Sequence, residues 1–356
     1  MDEARPLEPE ARDSALDALR GFALFGVLLV NMVSFTGPME RLFPQPGIAA
    51  TDPVLQTLIL LFVQGKFYCL FAFLFGLGFS LQTSHLEARG SDATAVFRQR
   101  LLALMAIGLF HGLVLWSGDI LFIYACLGLL LLAFRRCRDG SLLVWGLLLL
   151  GVTVLEPVLL GPAFRHGPPA TPEALVAASR LQAEATQTAL FRAIEVYSRG
   201  SFAEVWHFRL GELAEGYQVG LTWLAPQILG LFLLGAWSGR RGLLARPDWL
   251  SRFLPGAWML GLACTALYLL GRNPGPAVRG SAWHLATQSC AAAGAPALAL
   301  AYATSLSRRW AGGADQGIQR WLAPLGRTAL TNYLAQSLIG TSFYGAWGTG
   351  RYGRVG

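Results

Sequence analysis

An all-α, polytopic integral membrane bundle of about nine transmembrane helices is the fold class this sequence predicts, on three observations. Hydrophobic residues make up 54% of the 356 and charged residues only 14%, with a mean hydropathy of +0.47, a balance suited to lipid rather than water. Apolar runs of bilayer length recur from Leu19 almost to the C-terminus. Arginines concentrate in alternate gaps between those runs, as short cytoplasmic loops require.

Residues 1–15 are charged and contain Pro6 and Pro9, which reads as a flexible cytoplasmic tail. No cleavable signal peptide is evident, because acidic residues precede the first apolar run and no small-residue cleavage site follows it. The nine candidate spans are 19–35, 54–84, 101–117, 119–135, 141–161, 221–237, 254–271, 284–305 and 322–343. The second exceeds the roughly 20 residues one crossing needs, so it either opens with an interfacial turn before Gly65 and Lys66 or tilts as a single helix. Between 162 and 220, Glu184, Arg192, Glu195 and Arg199 separate apolar residues at helical spacing, which predicts one or two amphipathic helices outside the membrane. The chain thus divides into the tail, a membrane region over 16–161 with about five helices, an extracytoplasmic segment over 162–220 and a second membrane region over 221–356.

With the N-terminus inside, the predicted inner connections hold Arg89, Arg98 and Arg100, then Arg135, Arg136 and Arg138, then Arg240, Arg241, Arg246 and Arg252, then Arg308, Arg309 and Arg320. The outer ones carry fewer, Arg41 in one and Arg272 and Arg279 in another. This pattern keeps the N-terminus on the cytoplasmic side, with the final span leaving the C-terminus outside. The net charge of +7 is spread through short gaps and forms no basic face, which argues against nucleic acid. Five isolated cysteines, with no CxxC and no paired histidine spacing, suggest neither a disulfide scaffold nor a metal site.

A few polar residues interrupt the apolar runs. Asp17 and Arg20 lie three apart on one helix face, as an ion pair or an interfacial anchor would; Asn31 lies eleven residues after Arg20, toward the other end of the same span. His111 is the most informative, since a neutral imidazole can take a proton from a hydroxyl or amine and a carboxylate can orient it. Asp119 is eight residues further on, about 12 Å along a straight helix, so pairing requires the turn at Gly118 to fold it back. His111 otherwise packs between helices or binds substrate, and Asp119 otherwise caps the next helix. Glu156, just before Pro157, would face a cavity if the helix kinks there. Lys66 is the only lysine and either snorkels to the interface or meets an anionic substrate. Arg327 opens the last span, where Thr328, Asn332 and Gln336 at four-residue spacing form a bonded seam or a polar pocket.

The opening Leu16-Asp17-Ala18-Leu19-Arg20-Gly21 and its continuation to Asn31 resemble the first helix of the YeiB-like, DUF418-containing family of bacterial inner-membrane proteins. The resemblance continues through Gln64-Gly65-Lys66-Phe67, through the segment from Gly108 to Leu121 that holds His111, Gly118 and Asp119, and through Gly326-Arg327-Thr328-Ala329-Leu330-Thr331-Asn332-Tyr333 to Gln336 and Ser337. It implies a distant likeness to the transmembrane acyltransferase fold, and with it a reaction class. It assigns no catalytic histidine by motif. Family members usually continue through another membrane region and a short Trp- and Arg-containing tail, so the resemblance implies a truncated or naturally shorter member.

The resulting expectation is transfer of an acyl group from acyl-CoA or another donor to an extracytoplasmic acceptor, a small molecule, lipid or glycan. His111 would act as base with Asp119 orienting it, and Arg20, Asn31, Lys66, Glu156, Arg327, Asn332 and Gln336 would bind substrate or donor. Acyl-CoA would be a substrate, with no tightly bound cofactor, and self-association into a homo-oligomer stays open. Two alternatives share the same buried polar groups: a small-molecule transporter or exporter, and a structural or regulatory membrane protein.

Overall fold

The computed structural model describes residues 9–39, 52–160, 171–243, 246–272 and 281–354, and among them every regular element is helical. Helix α1 (Pro9–Thr36) begins inside the segment expected as a tail. Helix α2 (Pro53–Phe62) is capped by Asp52, whose carboxylate accepts from the Val54 and Leu55 amides. The chain then turns through Gly65, at φ 83, into α3 (Lys66–Ala88), so the double-length second run is one crossing interrupted by a turn. Helix α4 (Ala93–Phe110) ends in a π-helical turn, His111–Leu115, before α5 (Leu121–Ala133) and α6 (Asp139–Leu160). The Asp92 carboxylate caps α4, and the amides of Ala95 and Thr94 hold its pKa below the ordinary carboxylate range.

The segment expected outside the membrane contains α7 (Pro172–Arg199) and α8 (Phe202–Val219). Helix α8 continues through a second π-helical turn, Gly220–Leu224, into α9 (Ala225–Arg240). The 39-residue stretch Phe202–Arg240 is about 58 Å long, well beyond the roughly 30 Å of a hydrocarbon core. Short α10 (Pro247–Ser251), then α11 (Leu254–Gly271), α12 (Ala282–Ala311), α13 (Gln316–Arg327) and α14 (Ala329–Tyr344) complete the chain.

Seven of the nine expected spans are helices long and apolar enough to cross a bilayer, which makes this a multi-pass membrane protein. The other two are shorter, 13 residues in α5 and 16 in α14. The run over 322–343 is not one helix. Thr328 leaves helical geometry at φ −106, ψ 29, and the preceding α13 buries Ala323 and Gly326 while exposing Ile318, Trp321 and Leu325, as an interfacial helix does. Arg41, Arg279 and residues 161–170, with His166, lie outside the described residues.

Close helix approach organises the bundle, and glycines permit it. Helix α3 packs most extensively on α9. A Cβ on Gly76 would lie 1.9 Å from the Phe232 carbonyl oxygen, and one on Gly235 would lie 2.0 Å from that of Phe73. The contact of α1 with α13 is reciprocal in the same way: Gly21 meets the Leu322 carbonyl and Gly326 that of Asp17, where added methyls would sit at 2.1 and 1.7 Å. At one end of the bundle the arginines tie the connections together. Arg240 donates to the carbonyls of Arg135 and Cys137, Arg241 pairs with Asp139 at 3.0 Å, and Arg135 bonds Thr94.

Replacing Gly326 or Gly76 by leucine forces the backbones apart and is expected to destabilise the protein by at least the roughly 1–3 kcal/mol of an overpacked core. Gly211→Ala, which meets nothing within 4 Å, gains up to about 1 kcal/mol of helix propensity instead. Thermal unfolding in detergent measures both, and equal melting temperatures for the three variants would contradict the glycine contacts.

Candidate functional site

Where α4 gives way to the π-helical turn, the helix widens and delivers His111 into the protein interior, with its side chain fully buried. The Trp116 amide bonds the His111 carbonyl at 2.8 Å, and Trp116 itself is extended at φ −161, ψ 129. Gly118 completes the reversal: a Cβ there would lie 2.3 Å from the Trp116 ring, so only glycine lets the indole pack on the returning chain. The turn therefore folds Asp119 back, and His111 Nδ1 and Asp119 Oδ1 stand 2.9 Å apart. The condition for the pair is met.

Asp119 is held by more than the imidazole. Its Oδ2 accepts from the Phe122 amide at 2.9 Å, capping α5, and from the Tyr217 hydroxyl of α8 at 3.0 Å. Capping and orienting thus coexist in one carboxylate. An acceptor at Oδ1 places the imidazole proton on Nδ1 and leaves Nε2 its lone pair. Nε2 is buried and has no hydrogen-bond partner among the described residues. The Arg209 guanidinium of α8 bonds the Val114 carbonyl, and the Tyr333 hydroxyl of α14 reaches the Gly118 carbonyl at 3.4 Å, so the opened backbone of the reversal is satisfied by side chains from two other helices.

Two cavities approach this pair from opposite ends. The first, about 410 Å³, lies between α1, α3, α4, α5 and α14 and extends from Arg20 and Gln82 to Asn31 and Gly118. The second, about 810 Å³, lies against α7, α8 and the end of α14 and is lined by Trp116, Ser117, Arg209, Glu212 and Trp347, again with Asn31 and Gly118. Asn31 and Gly118 are common to both and form a neck. His111 sits beside it, between the ring of Tyr333, a wall of the first cavity, at 5.0 Å and that of Trp116, a wall of the second, at 6.2 Å. In the second cavity Glu212 accepts from Ser117 at 2.7 Å and from Tyr197. Burial, and then the Glu212 charge, push the Tyr197 phenol well above its ordinary range.

Of the other expected site residues, Arg20 and Asn31 line the cavities, and the rest are elsewhere. Arg20 pairs with Asp17 at 3.0 Å, and its guanidinium lies over Gly78, within 2.7 Å of where a Cβ would be. Lys66 neither snorkels nor lines either of these cavities: it is buried and donates to the Leu60 carbonyl at 2.6 Å, because the left-handed Gly65 turns it back onto the open end of α2. Asn332 likewise bridges the break before α14, donating to the Leu325 carbonyl and to Thr328 Oγ1, both at 3.0 Å. The seam thus forms between Thr328 and Asn332 and stops there; Gln336 has a buried Oε1 without a partner among the described residues. Arg327 is 65% exposed, 3.8 Å from Asp17, and Glu156 sits in α6; neither lines the two cavities. Tyr217, Arg209 and Glu212 were not anticipated. Their spacing, with Leu213 and Gly216, marks one face of α8, which is the signal that could have found them. Among the described residues no cluster of three or more His, Cys, Asp or Glu could hold a metal.

A family profile described as "Protein of unknown function (DUF418)" matches residues 238–356. The chain is 28% identical over 376 residues to the "Uncharacterized protein YxaH" of Bacillus subtilis (strain 168), covering 100% of this chain and 87% of that one. It is 30% identical over 356 residues to the "Uncharacterized protein YeiB" of Escherichia coli (strain K12), covering 94% and 83% respectively. No solved structure matches the chain.

Tyr217→Phe removes one of the donors on Asp119 and is expected to cost about 1–3 kcal/mol. Asp119→Ala costs more, because it strands the imidazole and the Tyr217 hydroxyl together. Thermal unfolding of the two single variants and the double variant measures the coupling, and strict additivity would contradict a shared site.

Proposed function

We propose that this chain, which belongs to the YeiB-like, DUF418-containing family, is a membrane-embedded acyltransferase that works across the bilayer. The observation that carries the reading is the buried His111–Asp119 pair, with the lone pair of Nε2 unused, beside the neck where cavities from opposite ends meet. The distribution of positive charge supports a cytoplasmic arginine-rich end, with the N-terminus inside and the C-terminus outside, and the bacterial relatives support a bacterial cytoplasmic membrane.

In this reading the donor is an acyl thioester such as acyl-CoA, entering the first cavity from the arginine-rich end. Arg20 meets its phosphates at the mouth, and the eleven residues from Arg20 to Asn31 along α1 set a reach of about 16 Å from mouth to neck. The acceptor, a hydroxyl or amine, waits in the second cavity. His111 Nε2 takes its proton as the oxygen or nitrogen attacks the thioester carbon; the new C–O or C–N bond forms, the C–S bond breaks, and the proton passes to the departing thiolate. Asp119 orients the imidazole and stabilises its charged form. His111 has no exposed surface, so reaction requires Tyr333 or Trp116 to swing aside.

The shared neck also suits a transporter, in which Asn31 and Gly118 divide inward- and outward-facing vestibules. Counterflow of a small metabolite in proteoliposomes without covalent product would favour that second reading.

The test is acyl-CoA-dependent thiol release by the detergent-purified protein with a panel of small-molecule, lipid and glycan acceptors. Wild type is expected to release thiol, and a folded His111→Ala variant to lose at least about 100-fold of that rate, the contribution of a general base. Unchanged turnover in His111→Ala would exclude the proposed chemistry.

A further inference from the structure

The first cavity differs from a simple shaft in one respect: it has an apolar side wall that is not closed. Helix α4 packs on α3 and α5, and α14 packs on α1 and α13, while α4 forms no packed face with α1 or α14 among the described residues. Only the π-helical turn at the end of α4 closes on α14, beside the neck. Leu104 on α4 and Leu330 on α14 both line the cavity, and both keep part of their surface uncovered, Leu330 37% of it. They are the two edges of a slit. On the opposite side of α4 Leu102 and Leu109 are exposed, at 51% and 43%, so α4 is an outer helix bordered by hydrocarbon, and a gap between it and α14 leads toward lipid. Inside it, Val27, Phe71, Leu74 and Phe75 continue the apolar surface.

From this geometry we infer that the transferred acyl group is a long hydrocarbon chain, seated between Leu104 and Leu330 and trailing through the slit into the bilayer. The inference rests on the acyl-transfer reading for the word transferred; the chain-binding slit stands on its own geometry. A two-carbon acyl group needs only a sealed passage wide enough for the donor arm, and would leave the apolar walls of the slit uncovered. A fatty chain covers those walls and keeps its free end in lipid, so the carbonyl alone has to reach the neck. The donor is then a long-chain acyl thioester, whose chain partitions into the inner leaflet while its phosphates stay in water beside Arg20. Transfer leaves the bond balance described above unchanged, with the carbonyl carbon passing from sulfur to the acceptor oxygen or nitrogen.

Two measurements on the full-length protein in lipid nanodiscs test this. The first compares thiol release from acetyl-, butyryl-, octanoyl- and palmitoyl-CoA. Burial of each methylene is worth up to about fourfold, so palmitoyl-CoA is expected to exceed acetyl-CoA by at least about 100-fold in kcat/KM. Leu330→Trp, which narrows the slit, is expected to cut palmitoyl turnover at least tenfold more than it cuts acetyl turnover. The second is photolabelling by a diazirine-bearing palmitate, a direct readout of chain binding. Label is expected on the peptides that carry Leu104 and Leu330, and is expected to be lost in Leu330→Trp. Thiol release that is no faster with palmitoyl-CoA than with acetyl-CoA, with no label at the slit, would overturn the long chain and leave acyl transfer standing. Label at the slit without thiol release from any donor would uphold the chain site and remove acyl transfer. Neither label nor release would remove both.

Discussion

Hydrocarbon supplies no water to an interrupted helix, so each break within the bundle has to be repaired by a side chain, and much of the polar chemistry of this protein follows from that constraint. Lys66 closes the end of α2 through the Leu60 carbonyl. Pro296, inside α12, cannot donate to the carbonyl four residues earlier, and Gln227 of α9 bonds that carbonyl, Ala292, at 3.0 Å. Asn332 bridges the break before α14, and Arg209 and Tyr333 serve the reversal after α4. Three of these breaks are structural repairs. At the fourth, the reversal, the repair also brings together a histidine and an aspartate.

That double duty explains why the site is placed where it is. A π-helical turn followed by an extended residue costs regular hydrogen bonds, and the cost is offset only because α8 and α14 converge on the same point. Their convergence depends on small residues. A Cβ on Gly112 would lie within 3 Å of Leu213 and of the Tyr217 hydroxyl, so α8 seats against the turn only because that position is bare. The reciprocal glycines of α1 and α13 set the start of α14 close to Asp17 and Arg20, and α14 then runs toward the far end of α1, where Gly340 lies against Phe35. The first cavity lies between this α1–α14 pair and the helices α3, α4 and α5.

The same constraint shows why rarity was a poor guide to function. Lys66 is the only lysine, and Asn332 is an amide within an apolar run; both look like ligands for a substrate. Each is instead the donor required at a break whose position depends on the path of the chain. His111 and Asp119 were legible for a different reason: the separation, the intervening Gly118 and the chemistry of the two groups are all local, so the requirement for a reversal could be stated from the sequence. Tyr217 and Arg209 come from 98 and 95 residues further along the chain or nearly so, and no local pattern ties them to the turn.

What the sequence determined by itself was therefore whatever depends on neighbours along the chain. Apolar runs of bilayer length, arginines between them and an amphipathic stretch near residue 200 fix an all-helical, multi-pass protein, because hydrophobic periodicity and length act locally. Tertiary structure decided the rest: the break of the last run at Thr328, the continuity of α8 with α9, the repair roles of Lys66 and Asn332, and the meeting of two cavities at Asn31 and Gly118. These depend on which helices touch, and helix contact in a membrane is governed by close packing and hydrogen bonding between distant segments rather than by hydrophobicity, which is alike on every lipid-facing side.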